Sequence, residues 1–192
     1  MMRLWWIALP VLLGGCLFHD AAEPRFFRPA SAMLDAGAGA APSSAAVAIR
    51  LQPVSGTPFL RERIVWRSSE VEYGLYEQRR WSELPASYVQ RALENALHQT
   101  AGLRLSDDLD VPSLRVDVLA FDEQLAPTHA ASVALAVSLR DRERRRLLDR
   151  TFTAEAAIAG DAPTATAIAM GKALDQAVAA VADAVASAVG GR

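Results

Sequence analysis

Only one side chain in this sequence has a type and position that call for covalent chemistry. Cys16 is the sole cysteine, and it closes the tetrad Leu13-Gly14-Gly15-Cys16 after a short apolar run. Met1, Met2 and Arg3 give a positive start and the stretch from Leu4 to Leu13 an apolar core, the pattern of an export signal. Small Gly14 and Gly15 let an extended backbone enter a peptidase groove, and the Cys16 thiol can then carry a diacylglycerol thioether before cleavage makes it the first residue. The tetrad reads as a lipobox. A membrane-spanning helix needs about 20 apolar residues, and this run meets His19 and Asp20 too early. The alternatives are an ordinary secretory signal with a chance cysteine, or a cysteine buried in a core helix. Each buried CH₂ contributes roughly 0.8 kcal/mol, so one acyl chain binds reversibly and two or more hold firmly.

Elsewhere the residues offer little catalytic chemistry. His19, His98 and His129 are scattered without metal-ligand spacing, and no nucleophile can be matched with a base and an orienting acid. No phosphate-binding G-x-x-x-x-G-K-[ST] loop occurs. Asp107, Asp108 and Asp110 lack the glycine and terminal glutamate of a calcium loop and read as a solvated turn. The run Arg142, Arg144, Arg145, Arg146 reads first as a soluble hairpin tip, with contact to anionic headgroups as the alternative. Trp66, Tyr73, Tyr76 and Trp81 lie amid arginines and glutamates, where core packing competes with an exposed patch for a protein or lipid. No catalytic residue, metal or cofactor is expected.

These residues need a scaffold. With 1–15 read as a signal peptide and 16–23 as a lipidated tether, residues 24–192 suffice for one domain. No internal disulfide is available to it, and a formal net charge of −2 gives no reason to expect nucleic acid. Ala30 to Ala46 is rich in Ala, Gly, Ser and Pro and reads as flexible, while Arg25 to Arg28 between Pro24 and Pro29 fits a short edge strand.

Val47, Ile49 and Leu51 alternate with smaller or polar residues as a half-buried strand does. Arg63 to Ser68 and Leu75 to Trp81 form a hairpin whose turn holds Glu70, Glu72 and Gly74. A helix from about Pro85 to Thr100 starts on proline and presents Val89, Leu93, Ala96 and Leu97, with Gly102 to close it and Arg91 and Glu94 as a solvated pair. Leu114 to Ala120, Val133 to Leu139 and Leu148 to Glu155 make a β-meander. The last helix, from about Pro163 to Val189, carries a stripe of Met170, Leu174, Val178, Val181, Val185 and Val189. Lys172, Asp175, Gln176 and Asp183 interrupt it as a membrane span, so it packs on the sheet or binds a partner. The elements sum to an α/β sandwich, two main helices covering a mixed, largely antiparallel sheet.

Leu60-Arg61-Glu62-Arg63-Ile64-Val65-Trp66-Arg67-Ser68-Ser69, then Tyr76-Glu77 and Arg80-Trp81-Ser82-Glu83-Leu84-Pro85, strongly resembles the ABC-type transport auxiliary lipoprotein family. The arginine-tryptophan-x-glutamate segment entering a helix is the most recognisable part, and the likeness runs from the lipobox to the alanine-rich terminal helix. The turn Asp141-Arg142-Glu143-Arg144-Arg145 departs from it by lacking the family's usual glycine.

The resemblance implies a three-layer α/β fold like the N-terminal domain of the Tol-Pal translocation protein. It also implies a non-enzymatic periplasmic lipoprotein accompanying an ABC transporter permease and ATPase with a mammalian-cell-entry (MCE) domain protein, in a system moving lipids or other hydrophobic molecules. Leu17 stands where an inner-membrane retention aspartate would stand, so the lipoprotein sorting rule implies the outer membrane. Trp66, Tyr76, Arg80, Trp81 and Glu83 are the expected partner-binding residues, and self-association stays open. The competing functional class is an activator of peptidoglycan synthesis, disfavoured by the short tether; a hydrolase ranks third.

Overall fold

A computed structural model describes residues 23–37 and 46–191; Cys16 lies outside the described residues. Nine strands form one sheet: β1 Arg25–Phe27, β2 Val47–Leu51, β3 Ser55–Gly56, β4 Arg63–Arg67, β5 Tyr73–Trp81, β6 Leu103–Leu105, β7 Ser113–Gln124, β8 Ala130–Arg140 and β9 Arg146–Ala157. The helices are α1 Ala32–Asp35, α2 Pro85–Gln99 and α3 Pro163–Gly190. The main path runs β1-β5-β4-β7-β2-β6, and β8 joins β7 to β9. Antiparallel ladders dominate by length, because β7–β8–β9 is a continuous meander and β4–β5 a hairpin, while β1, β2, β3 and β4 make short parallel pairings.

The meander follows from alternation. Leu114, Val116, Val118 and Phe121 oppose Leu139, Val137, Leu135 and Val133, and all are buried. Every second side chain therefore points at the helices, the arrangement that one covered face requires. The α3 stripe of Met170, Leu174, Val178, Val181, Val185 and Val189 is buried against β8, β9 and α2. By length and composition α3 could cross a membrane. Its apolar side is instead occupied by the sheet.

Helix α2 begins with Pro85 at its first turn and buries Tyr88, Val89, Leu93 and Leu97. The short α1 packs on α2 and α3. The opposite face of the meander carries short or polar residues, with rows such as Asp117–Ala136–Thr151 and Arg115–Ser138–Asp149.

Several expectations change here. Residues 30–37 hold α1 where a flexible linker was expected. Ser31 Oγ accepts from Leu34 N, and Asp175 on α3 accepts from Ala32 N at 2.8 Å and Met33 N at 3.2 Å, so a distant carboxylate caps the turn that local sequence could not. Gly74 lies inside β5 and not in the turn, because Trp66 covers it: a Cβ there would sit 2.0 Å from the indole. Arg91 pairs with Glu83 and leaves Glu94 to accept from Gln90, so the expected Arg91–Glu94 pair does not form. Gly102 adopts φ +80° between α2 and β6. The turn without glycine closes through Arg144 at φ 64°, while Asp141 accepts from the Arg145 backbone and guanidinium.

Candidate functional site

The hairpin β4–β5 and the edge strand β1 gather most of the residues expected to meet a partner, and the sheet then divides them between its faces. Trp81 is 1% exposed. Its indole packs edge-on against Phe121 at 5.4 Å and Tyr88 at 6.4 Å, in the middle of the core. It therefore offers no partner surface, and truncating it would cost about 3–5 kcal/mol of stability before any docking was lost.

Glu83 follows two residues later at the strand-to-helix junction. Its carboxylate takes both terminal nitrogens of Arg91, at 2.5 and 3.0 Å, and this hydrogen-bonded guanidinium holds the carboxyl below the ordinary carboxylate range. Tyr88 Oη accepts from Glu83 N at 3.1 Å and lies 2.8 Å from Ser82 Oγ. Leu84 supplies no side-chain cap to α2, so Trp81, Glu83 and Tyr88 fix the helix start in its place. The tryptophan-x-glutamate spacing is an architectural joint.

Trp66 and Tyr76 occupy the outer end of the hairpin and are half-buried. Trp66 pairs in register with Gly74 on one side and Glu123 on the other, which places it on the helix-side face. Tyr76 lies under the Arg79 guanidinium, 4.1 Å from its ring centroid, and burial followed by the Glu123 carboxylate pushes its hydroxyl up. Glu123, itself buried, receives Thr166 Oγ1 at 3.1 Å and meets His129 Nε2 at 2.7 Å and Arg79 at 3.6 Å. The cluster pins β5, β7 and α3 together. Nothing in the sequence pattern marked Glu123 as buried, since its partners come from three separate elements.

Arg80 points the other way. In register it stands between Phe26 of β1 and Arg63 of β4, on the open face. Phe59, Arg61, Arg63, Leu75 and Arg80 line one shallow hollow there, and the rings of Phe59 and Tyr73 meet edge-on at 6.4 Å. The sequence reading included Tyr73 in its aromatic cluster but missed Phe26, Phe59 and Arg63. Alternation about Arg63 and Arg80 was the available signal, obscured by a register jump from Arg63–Arg80 to Val65–Leu75.

Among the described residues no group of three or more His, Cys, Asp or Glu side chains is placed to hold a metal ion. What the site offers is a surface of exposed rings beside an edge strand, with Arg61, Arg63 and Arg80 in no ion pair among the described residues.

The family model for the ABC-type transport auxiliary lipoprotein component matches residues 33–182, and the chain belongs to that family. It is thus an envelope-associated lipoprotein component that accompanies an ABC-type transport system. The fold is similar to that of a crystallised Xanthomonas campestris protein, with a TM-score of 0.70 and 19% identity over 87% of this chain and 96% of that one. An uncharacterised protein matches with a TM-score of 0.67 and 14% identity over 85% and 99%. A hypothetical protein from Chlamydia trachomatis matches with 0.55 and 11% over 77% and 100%. Among proteins of curated function, none matches this chain in sequence.

Proposed function

We propose that the chain is processed before Cys16, acylated there, and held on the periplasmic face of the outer membrane as a non-enzymatic docking subunit of an MCE-type ABC system for lipids or other hydrophobic molecules. Residues 1–15 are the signal, 16–23 the tether and 24–192 the docking domain. The observation that carries the reading is the family match over residues 33–182, joined to a lipobox cysteine just upstream. The body behind the anchor supports a positional role: its best-formed polar clusters, Glu83–Arg91 and Glu123–His129–Arg79, tie elements together. An acyl anchor with a short tether holds such a body where a conduit between two membranes must attach.

Crosslinking in intact cells followed by purification through this subunit is expected to recover an MCE-domain protein together with permease and ATPase. A well-expressed bait that repeatedly recovers none of them overturns the proposal. Stimulation of glycan polymerisation by the purified protein would favour the peptidoglycan-synthase class instead.

A further inference from the structure

Phe26, Phe59 and Tyr73 are 61%, 46% and 49% exposed, high values for three aromatic rings on one small surface. They are joined by Arg80 and Arg63: Phe26 pairs in register with Arg80, Arg80 with Arg63, and both arginines share a hollow with Phe59, which touches Tyr73. Arg61 lines the same hollow and gives its Nε to the Pro58 carbonyl at 3.1 Å. No ion pair among the described residues occupies Arg61, Arg63 or Arg80. Glu62 is the one carboxylate lining the hollow, against Arg61, Arg63 and Arg80, so the hollow is net positive on a chain of net charge −2.

The position of the patch in the chain selects its occupant. Phe26 is ten residues beyond Cys16. At 3.3–3.6 Å per extended residue, the patch stays within about 35 Å of an acylated cysteine whatever path the chain takes. A surface tethered that closely meets the membrane at high effective concentration. Arginine beside aromatic rings suits it: guanidinium groups are drawn to anionic headgroups, and rings settle at the boundary between headgroup and acyl chain.

Resting on the lipid anchor at Cys16 proposed above, we infer that the Phe26–Phe59–Tyr73 patch with Arg61, Arg63 and Arg80 is a bilayer-contact surface. It lays the open sheet face at the β1 edge against anionic phospholipid in the membrane that carries the anchor. The anchor alone would leave the domain free to tumble. The patch orients it, directing the far edge of the sheet, at β9, away from the lipid.

The test uses the full lipidated protein in phosphatidylethanolamine vesicles with or without phosphatidylglycerol. Acylation consumes the Cys16 thiol, so one introduced cysteine can carry a fluorophore: Pro58→Cys beside the patch, or Leu109→Cys, 74% exposed in the loop between β6 and β7, which enters β7 at the end away from its pairing with β4. With headgroup-quencher lipids, the label at 58 is expected to be quenched at least about threefold more than the label at 109 when phosphatidylglycerol is present, and less so without it. Arg63→Glu/Arg80→Glu is expected to abolish the difference. Arg63→Gln/Arg80→Gln, which removes charge without reversing it, should reduce it, giving a second reading if the first variant folds poorly. Equal quenching at both positions overturns the contact, as does a difference that survives both pairs of substitutions. Mass spectrometry of the Cys16 peptide separates the two proposals: an unacylated peptide removes the anchor and the contact together, whereas an acylated protein quenched equally at both positions removes the contact alone.

Discussion

Asp122 is 2% exposed on the open face of β7, 3.5 Å from Arg67 Nε, and its Oδ1 has no hydrogen-bond partner. Burial pushes its carboxyl above the ordinary value of 3.8, against the pull of Arg67, and the Glu155 carboxylate adds to the rise. A raised folded value means the native state binds this proton more tightly than the unfolded chain does. The stabilising effect is therefore full below about 3.8 and is lost as pH rises through the raised value. Asp122→Asn is expected to raise stability at pH 7 and to change little in acid, where the carboxyl is already protonated. Denaturant melts across that range check it, and an equal effect at both ends would remove Asp122 as the source. A second single-residue cost sits at Arg144, whose φ of 64° burdens a side chain with a left-handed backbone. Arg144→Gly should stabilise by about 1 kcal/mol, read as a higher melting temperature with Asp141 still closing the turn.

Among the elements, the segment after the tether is the one whose attachment decides how the anchor is coupled to the domain. Arg25–Phe27 joins the edge of β5, Ala30 N reaches Ala167 O at 3.0 Å, and Asn95 Nδ2 donates to Met33 O at 2.7 Å. Gly171 permits that approach, since a Cβ there would lie 2.0 Å from the Ala30 carbonyl oxygen, a backbone atom without rotamers to escape through. Gly171→Ala is expected to cost about 1–3 kcal/mol, less what alanine returns in helix propensity. Hydrogen exchange should show protection lost over residues 25–35 and kept in β7–β9, and uniform loss would mean that the segment is not a separable unit. The same contrast explains what the sequence could reveal. The meander and both long helices are legible because their periodicity is uninterrupted over many residues. The segment at 30–37 was not, because its order comes from Asp175 and Asn95, remote in sequence. The hairpin was legible as a hairpin, but the register jump between Arg63 and Val65 hid which residues share a face. For Trp81 the core-packing reading of the aromatic cluster holds and the partner-binding one does not, since the side chain fills the core.

For the molecule as a whole, the anchor and the fold are separable quantities. The core is closed by α2, α3 and one face of the sheet, with Trp81, Tyr88 and Phe121 at its centre, and among the described residues all of it lies at Phe27 or beyond. Cys16→Ser should therefore leave the melting temperature of the purified domain unchanged while removing the acyl chains, each worth roughly 0.8 kcal/mol per buried CH₂. The patch around Phe26 cannot replace that energy, since a few arginines near an anionic surface give about 1 kcal/mol apiece and are screened by salt. The variant is expected in the soluble periplasmic fraction or stalled before maturation, with transport lost in either case. Fractionation and a transport-dependent growth phenotype read both at once. A soluble, fully active Cys16→Ser protein would show that partner binding alone positions the domain, and would move the weight of the mechanism from the lipid to the docking surface.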